Sequence, residues 1–287
     1  ASPYYKTWTA QAPLERVLRN HVSLRPLVDL RLGWRLVSFN EDEEGVTAVL
    51  ADEHGREERT RFAYIAGCDG ARSTVRNGLQ IDLEGKGTLG AALGLYFRAP
   101  ALRDALGDRR GVMYWPLAPG CGGTIYMIDG GNEWVFNRYF APGEEARIDD
   151  PVALIRAAIG GEMEIELISA LEWQPRQLVA RSYGSRHAFL AGDACHLFVP
   201  TGGLGMNTGI GDVVDLAWKI EAHLRGWGGP NLLPSYDLER RPQGERNTLE
   251  AADNYARSGD IFAAIRNIEA DTPDGARERA ALAGVLP

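Results

Sequence analysis

No apolar run in the 287-residue chain approaches the ~18–20 residues of a membrane-spanning helix. Cysteine is scarce: Cys68, Cys121 and Cys195 are odd in number, far apart and form no C-x-x-C pair, and the five histidines lack metal-ligand spacing. A disulfide framework and a structural zinc site are therefore not expected, and the expected compartment is a reducing cytoplasm. Positive charge is in deficit. Lys plus Arg number 31 against 39 Asp plus Glu, a formal net charge of −8, so neither nucleic acid nor an anionic membrane is expected as a bulk partner. The opening Ala-Ser-Pro-Tyr-Tyr carries no basic-then-apolar leader, so no signal peptide is read. It also lacks Met, so further chain upstream is expected. What remains is an ordinary soluble composition, 45% hydrophobic and 24% charged, long enough for about two domains.

Helical spacing of Leu14, Val17, Leu18 and His21 predicts a helix over Leu14–Val22, with Thr9 near its N-cap and Pro13 in its first turn. Turn chemistry at Glu41–Gly45 and Asp52–Gly55 then separates three extended runs, Gly33–Asn40, Val46–Ala51 and Thr60–Ala66, which read as an antiparallel meander. From Leu89 to Phe140 the chain is rich in β-forming and aromatic residues, with runs at Leu89–Arg98, Val112–Leu117, Gly123–Ile128 and Trp134–Phe140. A short helix over Pro151–Ile159 and a strand over Ile165–Trp173 follow. A second apolar strand, His187–Ala191, precedes a long helix from near Asn207 that stops at Gly226. Ser235 opens another helix, and the Ala/Arg/Glu-rich tail is helical. The pattern is that of a mixed α/β protein.

Chemistry concentrates in Phe189-Leu190-Ala191-Gly192-Asp193-Ala194-Cys195-His196-Leu197-Phe198-Val199-Pro200-Thr201-Gly202-Gly203-Leu204-Gly205-Met206-Asn207. A buried strand ends on a carboxylate, and a Pro then opens a glycine-rich loop that feeds a helix N-terminus. Gly202, Gly203 and Gly205 bare the backbone, so N–H groups can approach a ligand. The helix dipole favours negative charge at the same place. Asp193 would repel that charge and suits sugar or polyol hydroxyls instead. A second marker is Tyr64-Ile65-Ala66-Gly67-Cys68-Asp69-Gly70-Ala71-Arg72-Ser73-Thr74-Val75-Arg76.

Together these stretches resemble the two flavin motifs of the class A, para-hydroxybenzoate hydroxylase-like FAD-dependent aromatic monooxygenases. Gly209-Ile210-Gly211-Asp212, Leu216-Ala217-Trp218-Lys219, Leu232–Tyr236 and Glu239-Arg240-Arg241-Pro242 extend the likeness. It is strongest to the branch acting on phenols, phenylpropionates and aromatic polyketides. The resemblance implies an FAD-binding domain in two parts, 1–87 and 177–287, around an inserted, mainly antiparallel substrate-binding sheet, 88–176. It implies Pro200 beside the reactive edge of the isoalloxazine, Asp193 at the ribityl chain, the backbone of Leu204, Gly205, Met206 and Asn207 around the pyrimidine ring, and Gly192 and Gly203 as further cofactor-binding positions. Gln11, Asp69 and Arg76 match further cofactor-binding positions. FAD and NAD(P)H would serve hydroxylation of a small aromatic substrate through a flavin C4a-hydroperoxide. Tyr96, Tyr114, Trp115, Tyr126 and Trp134 are candidates to face that substrate, with the inward face of each strand undetermined. A homodimer is the one macromolecular partner kept open, and no metal site is expected.

The family's opening strand, Gly-x-Gly-x-x-Gly and helix are not found in these residues. Gly85-Lys86-Gly87 follows no suitable strand and opens no helix. Poor FAD affinity is therefore expected of this stretch alone, and a non-catalytic scaffold or partner-binding remnant stands as the alternative. Cys195 takes a place the family usually fills with Ala, and His196 reads as structural.

Overall fold

Turn residues set the strand breaks. In the computed structural model, which describes residues 9–109, 111–140 and 143–285, the chain divides into two compact units. One comprises Arg31–Leu89 and Pro175–Ser258. The other comprises the described residues of 1–30, 90–174 and 259–287.

The first unit opens with the meander β1 (Arg35–Glu41), β2 (Val46–Ala51) and β3 (Glu57–Phe62). Asp42 closes the β1–β2 turn by accepting the amides of Glu44 at 2.8 Å and Gly45 at 3.1 Å. Arg61 and those amides hold the Asp42 carboxyl well below the usual range. Gly45 sits at φ +153°, where a Cβ would lie 2.4 Å from the Phe62 carbonyl oxygen. The third expected strand, Thr60–Ala66, is in fact divided. β3 ends at Phe62, and Ile65–Gly67 forms β4, which pairs parallel with β12 (Ala188–Leu190) in another sheet. Gly85 and Gly87 belong to a strand, β5 (Leu83–Thr88), which pairs with β11 (Arg176–Ala180). A Cβ on Gly85 would sit 2.4 Å from the Gln177 carbonyl. β13 (His196–Leu197) completes that sheet in the order β13-β11-β5. The helices are α2 (Thr74–Gly78), α5 (Leu204–Leu224) and α6 (Ser235–Ala264), the last with Pro242 in its interior. Val75, Val179, Tyr183, Phe189, Leu190, Leu216 and Tyr236 form the core, and the Tyr236 hydroxyl donates to the Leu190 carbonyl at 2.6 Å.

The second unit holds a five-stranded antiparallel sheet, in the order β10 (Glu166–Trp173), β6 (Ala91–Arg98), β9 (Glu133–Phe140), β8 (Gly123–Met127), β7 (Met113–Tyr114). Helices α1 (Gln11–Ser23), α3 (Leu102–Leu106), α4 (Pro151–Ile159) and α7 (Pro273–Val285) accompany it. Asp150 caps α4 by accepting the Ala153 amide, Pro151 starts it, and Gly160 at φ +73° ends it. By contrast, α1 starts after Ala10 without a side-chain cap, and Thr9 binds the Ala10 carbonyl instead. Residues opposite one another across strands share a face. Leu93, Leu95, Phe97, Ile125, Trp134 and Phe136 line the buried one, against Ile155. Gly94, Asn137 and Thr124 lie opposite one another on the other face, in register with the row of Tyr96, Val135 and Tyr126. Among the described residues no helix is long and apolar enough to cross a membrane.

Candidate functional site

The fully buried β12 delivers the chain into a short 3-10 turn, Gly192–Ala194. Gly192 turns it at φ +61°, in the left-handed region that favours glycine. Asp193 follows with its side chain open to solvent. The protein around it still withdraws part of its hydration and so raises its pKa.

Helix α5 begins at Leu204, three residues before the position the sequence suggested. Two consecutive left-handed residues, Gly202 at φ +89° and Gly203 at φ +64°, turn the chain sharply enough for this early start. Asn207 does not cap the helix; its side-chain amide donates back to the Gly203 carbonyl at 2.8 Å. The Gly203 amide closes the preceding turn onto the Pro200 carbonyl at 3.1 Å. A helix's first amides have no partner within the helix, and the N-cap Gly203 offers no side chain. Among the described residues, no acceptor meets the amides of Leu204, Gly205 and Met206. A Cβ placed on Gly203 would meet open space, and Pro200, Gly203, Met206 and Asn207 are exposed. The result is a bare, positively polarised rim.

The second motif has a different job. Asp69 accepts the amides of Thr74 at 2.7 Å and Val75 at 3.2 Å, so it caps α2 together with Ser73. The buried Arg76 donates to the carbonyls of Ala194 at 2.9 Å and Ala71 at 2.9 Å, which ties this loop to the Asp193 turn. Burial lowers the Arg76 pKa. Gly67 permits the approach, since a Cβ there would sit 2.6 Å from that of Val75. Gly67→Ala is expected to destabilise by about 1–3 kcal/mol through overpacking against a stiff β-branched side chain, measured by urea unfolding.

Other sequence candidates belong to the other unit. Gln11 is exposed in the first turn of α1, in the other unit. Of the aromatic candidates, Tyr96 and Tyr126 share the face of Asn137. Trp134 is a core residue, with Tyr114 packed against the same cluster, and Trp115 is exposed.

A residue to which the sequence assigned no role emerges behind the turn. The fully buried Asp212 of α5 meets His196 Nε2 at 2.6 Å, the Gly192 amide at 3.1 Å and Arg240 Nε at 2.9 Å. Its signal was the Gly-x-Gly-Asp spacing. Potential ligand atoms of Cys195, His196 and Asp212 lie within 4.8 Å of one another. Both carboxylate oxygens already receive N–H donors, one from a guanidinium, and burial pushes the Cys195 thiol well above its usual range. That chemistry is an ion-pair network and suits a cation poorly.

Comparison with known proteins identifies the family. Residues 1–251 match the FAD binding domain family, and the chain belongs to it. It is 37% identical over 261 residues to the tetracenomycin A2 monooxygenase-dioxygenase of Streptomyces glaucescens, covering 85% of this chain and 46% of that protein. Among solved structures it resembles the flavin-dependent monooxygenase PieE in complex with FAD and substrate, at TM-score 0.84 and 30% identity over 96% of this chain and 51% of that one. It also resembles aklavinone-11 hydroxylase with FAD and aklavinone, at TM-score 0.79 and 32% identity, covering 90% and 49%. The chain thus spans about half the length of the relatives it matches.

Proposed function

We propose that this chain carries the flavin and ribityl half of the cofactor site of an FAD- and NAD(P)H-dependent aromatic monooxygenase. It would work in the cytoplasm on a phenolic or polycyclic substrate. The domain assignment that goes with this is a two-part FAD-binding domain, 1–87 and 177–287, around a substrate sheet, 88–176. The observation that carries the reading is the α5 N-terminus, where the amides of Leu204, Gly205 and Met206 point outward without acceptors beside an unfilled Gly203. The donor set suits a flavin: amides and a helix dipole for an electron-rich ring edge, and a carboxylate for polyol hydroxyls.

FAD, when bound, supplies hydride acceptance and oxygen activation. The chain's own residues supply placement. The amides of Leu204–Met206 hold negative charge on the ring edge, and Asp193 accepts hydroxyl hydrogens. Pro200 presents no N–H and no charge beside the rim. The Tyr96–Asn137–Tyr126 sheet face offers hydroxyl and amide groups on an aromatic surface suited to a flat phenol. The chain's likeness to a tetracenomycin A2 monooxygenase-dioxygenase and to an aklavinone-11 hydroxylase supports this reading of the substrate.

Leu204→Pro tests the amide rim. Proline is tolerated at the first helical position but removes one donor. FAD affinity should fall about tenfold, while Leu204→Ala retains wild-type affinity and both keep near-native melting. Equal affinity in the two variants would remove the rim from the site. Activity itself is tested by aromatic-dependent NAD(P)H oxidation in protein purified with its flavin. A colourless protein that takes up no added FAD ends the proposal.

A further inference from the structure

We propose that Asp212 is a positioning residue that locks the Asp193 turn to the N-terminal turns of α5, so that polyol acceptor and amide rim act as one rigid cradle; this rests on the flavin reading above. Asp212 stands in the third turn of α5 with no solvent exposure. Three N–H groups converge on its two oxygens: His196 Nε2 and the Gly192 amide on Oδ2, Arg240 Nε on Oδ1. The Gly192 bond is the direct link, because Gly192 immediately precedes Asp193. Arg240 extends the lock by donating to the Thr208 carbonyl at 3.1 Å. The Thr208 hydroxyl in turn donates to the Leu204 carbonyl at 2.8 Å, in the first turn of α5.

Two glycines make room for the lock. A Cβ on Gly209 would lie 3.2 Å from Gly192 Cα, and one on Gly211 would lie 2.5 Å from an Arg240 nitrogen. The Gly209-x-Gly211-Asp212 spacing therefore has a physical reason. One glycine admits the turn, the other admits the guanidinium, and the carboxylate between them binds both.

The network also fixes a proton. Asp212 Oδ2 accepts the Gly192 amide and faces His196 Nε2 at 2.6 Å, so Nε2 is placed as the hydrogen-bearing nitrogen of that contact. His196 Nδ1 is buried with no partner, and a second proton there would be an unpaired buried donor. The Nε2–H tautomer of His196 is the one this geometry assigns.

The experiment uses riboflavin, which has the ring and polyol but neither phosphate nor adenine, titrated into the chain by fluorescence quenching. Asp212→Asn and His196→Leu should weaken binding about tenfold or more. His196→Gln, whose side-chain amide still donates, should rescue binding to within about threefold of wild type. Gly211→Ala, which displaces Arg240 without altering any charge, should weaken it too. Asp212→Asn binding riboflavin like wild type, or no difference between His196→Gln and His196→Leu, overturns the proposal. If wild type quenches neither riboflavin nor FAD, the flavin reading fails and takes this inference with it. A readout without flavin separates the two: imidazole 15N shifts of His196 should show its hydrogen on Nε2, the nitrogen that faces Asp212. An Nδ1–H form overturns the lock whatever the flavin does.

Discussion

Replacing Asp193 with Asn is expected to weaken FAD binding about tenfold or more, while leaving the ligand-free chain at neutral pH at least as resistant to unfolding as wild type. The two effects share one cause. A charge-assisted hydrogen bond contributes about 1.5–3 kcal/mol, and a neutral amide accepts more weakly and brings an N–H of its own. Without ligand, the same carboxylate is a liability, because the protein around it removes hydration and raises its pKa. For an acid whose folded pKa lies above its unfolded value, the favourable contribution is complete below the unfolded pKa and disappears as pH rises through the folded one. The Asn variant carries no such dependence. Its advantage should open through the carboxyl titration range and be complete by neutral pH. Solvent reaches this side chain, so the gain stays under about 1 kcal/mol. Urea midpoints at about pH 3 and about pH 7, bracketing the carboxyl range, give the stability arm, and FAD titration gives the other. Unchanged FAD affinity would strip Asp193 of its ligand role, and a less stable variant at neutral pH would contradict the desolvation.

That one carboxylate could be singled out from the sequence because its signals are local: an apolar strand, a turn glycine, a proline and three glycines within 19 residues. Features set by distant partners were harder to see. Thr60–Ala66 reads as one strand by alternation, yet its end belongs with β12, more than a hundred residues away. Nothing inside the segment marks the change of sheet. β5 was hidden because Gly85 and Gly87 look like loop, whereas Gly85 serves close approach to Gln177. The start of α5 was placed late, near Asn207, where the helical pattern becomes legible. The helix is instead started by the dihedral angles of Gly202 and Gly203, which a residue name does not reveal. Asp212 was visible as part of a spacing pattern, but its role depends on Gly192, His196 and Arg240 converging in space. Family resemblance supplied the flavin, and the structure supplied the reason the glycines flank Asp212.

The sheet faces raise the same problem, and Trp134 tests the answer. By composition Trp134 and Tyr96 are equal candidates to meet an aromatic ligand, and register alone separates them. Trp134 lies between Phe97 and Met127 across the strands, with its ring centroid 6.3 Å from that of Tyr114 and 1% of its surface exposed. Trp134→Ala should therefore cost about 3–5 kcal/mol, the range for emptying a large aromatic site in a core. Trp134→Phe should be much milder. It gives up part of the ring volume, but it also removes an indole N–H that is buried without a partner, a group that costs about 1–3 kcal/mol to leave unsatisfied. Chemical unfolding followed by circular dichroism measures both variants. Tyr96→Phe is the contrast, since it trims a hydroxyl that meets Glu133 on the other face, and its effect should fall on binding of a phenolic ligand more than on unfolding. If Trp134→Ala costs less than about 1 kcal/mol, the size of an ordinary substitution, and abolishes ligand binding instead, the face assignment is inverted. Trp134 would then line the substrate surface, and Tyr96, Tyr126 and Asn137 would lose that role.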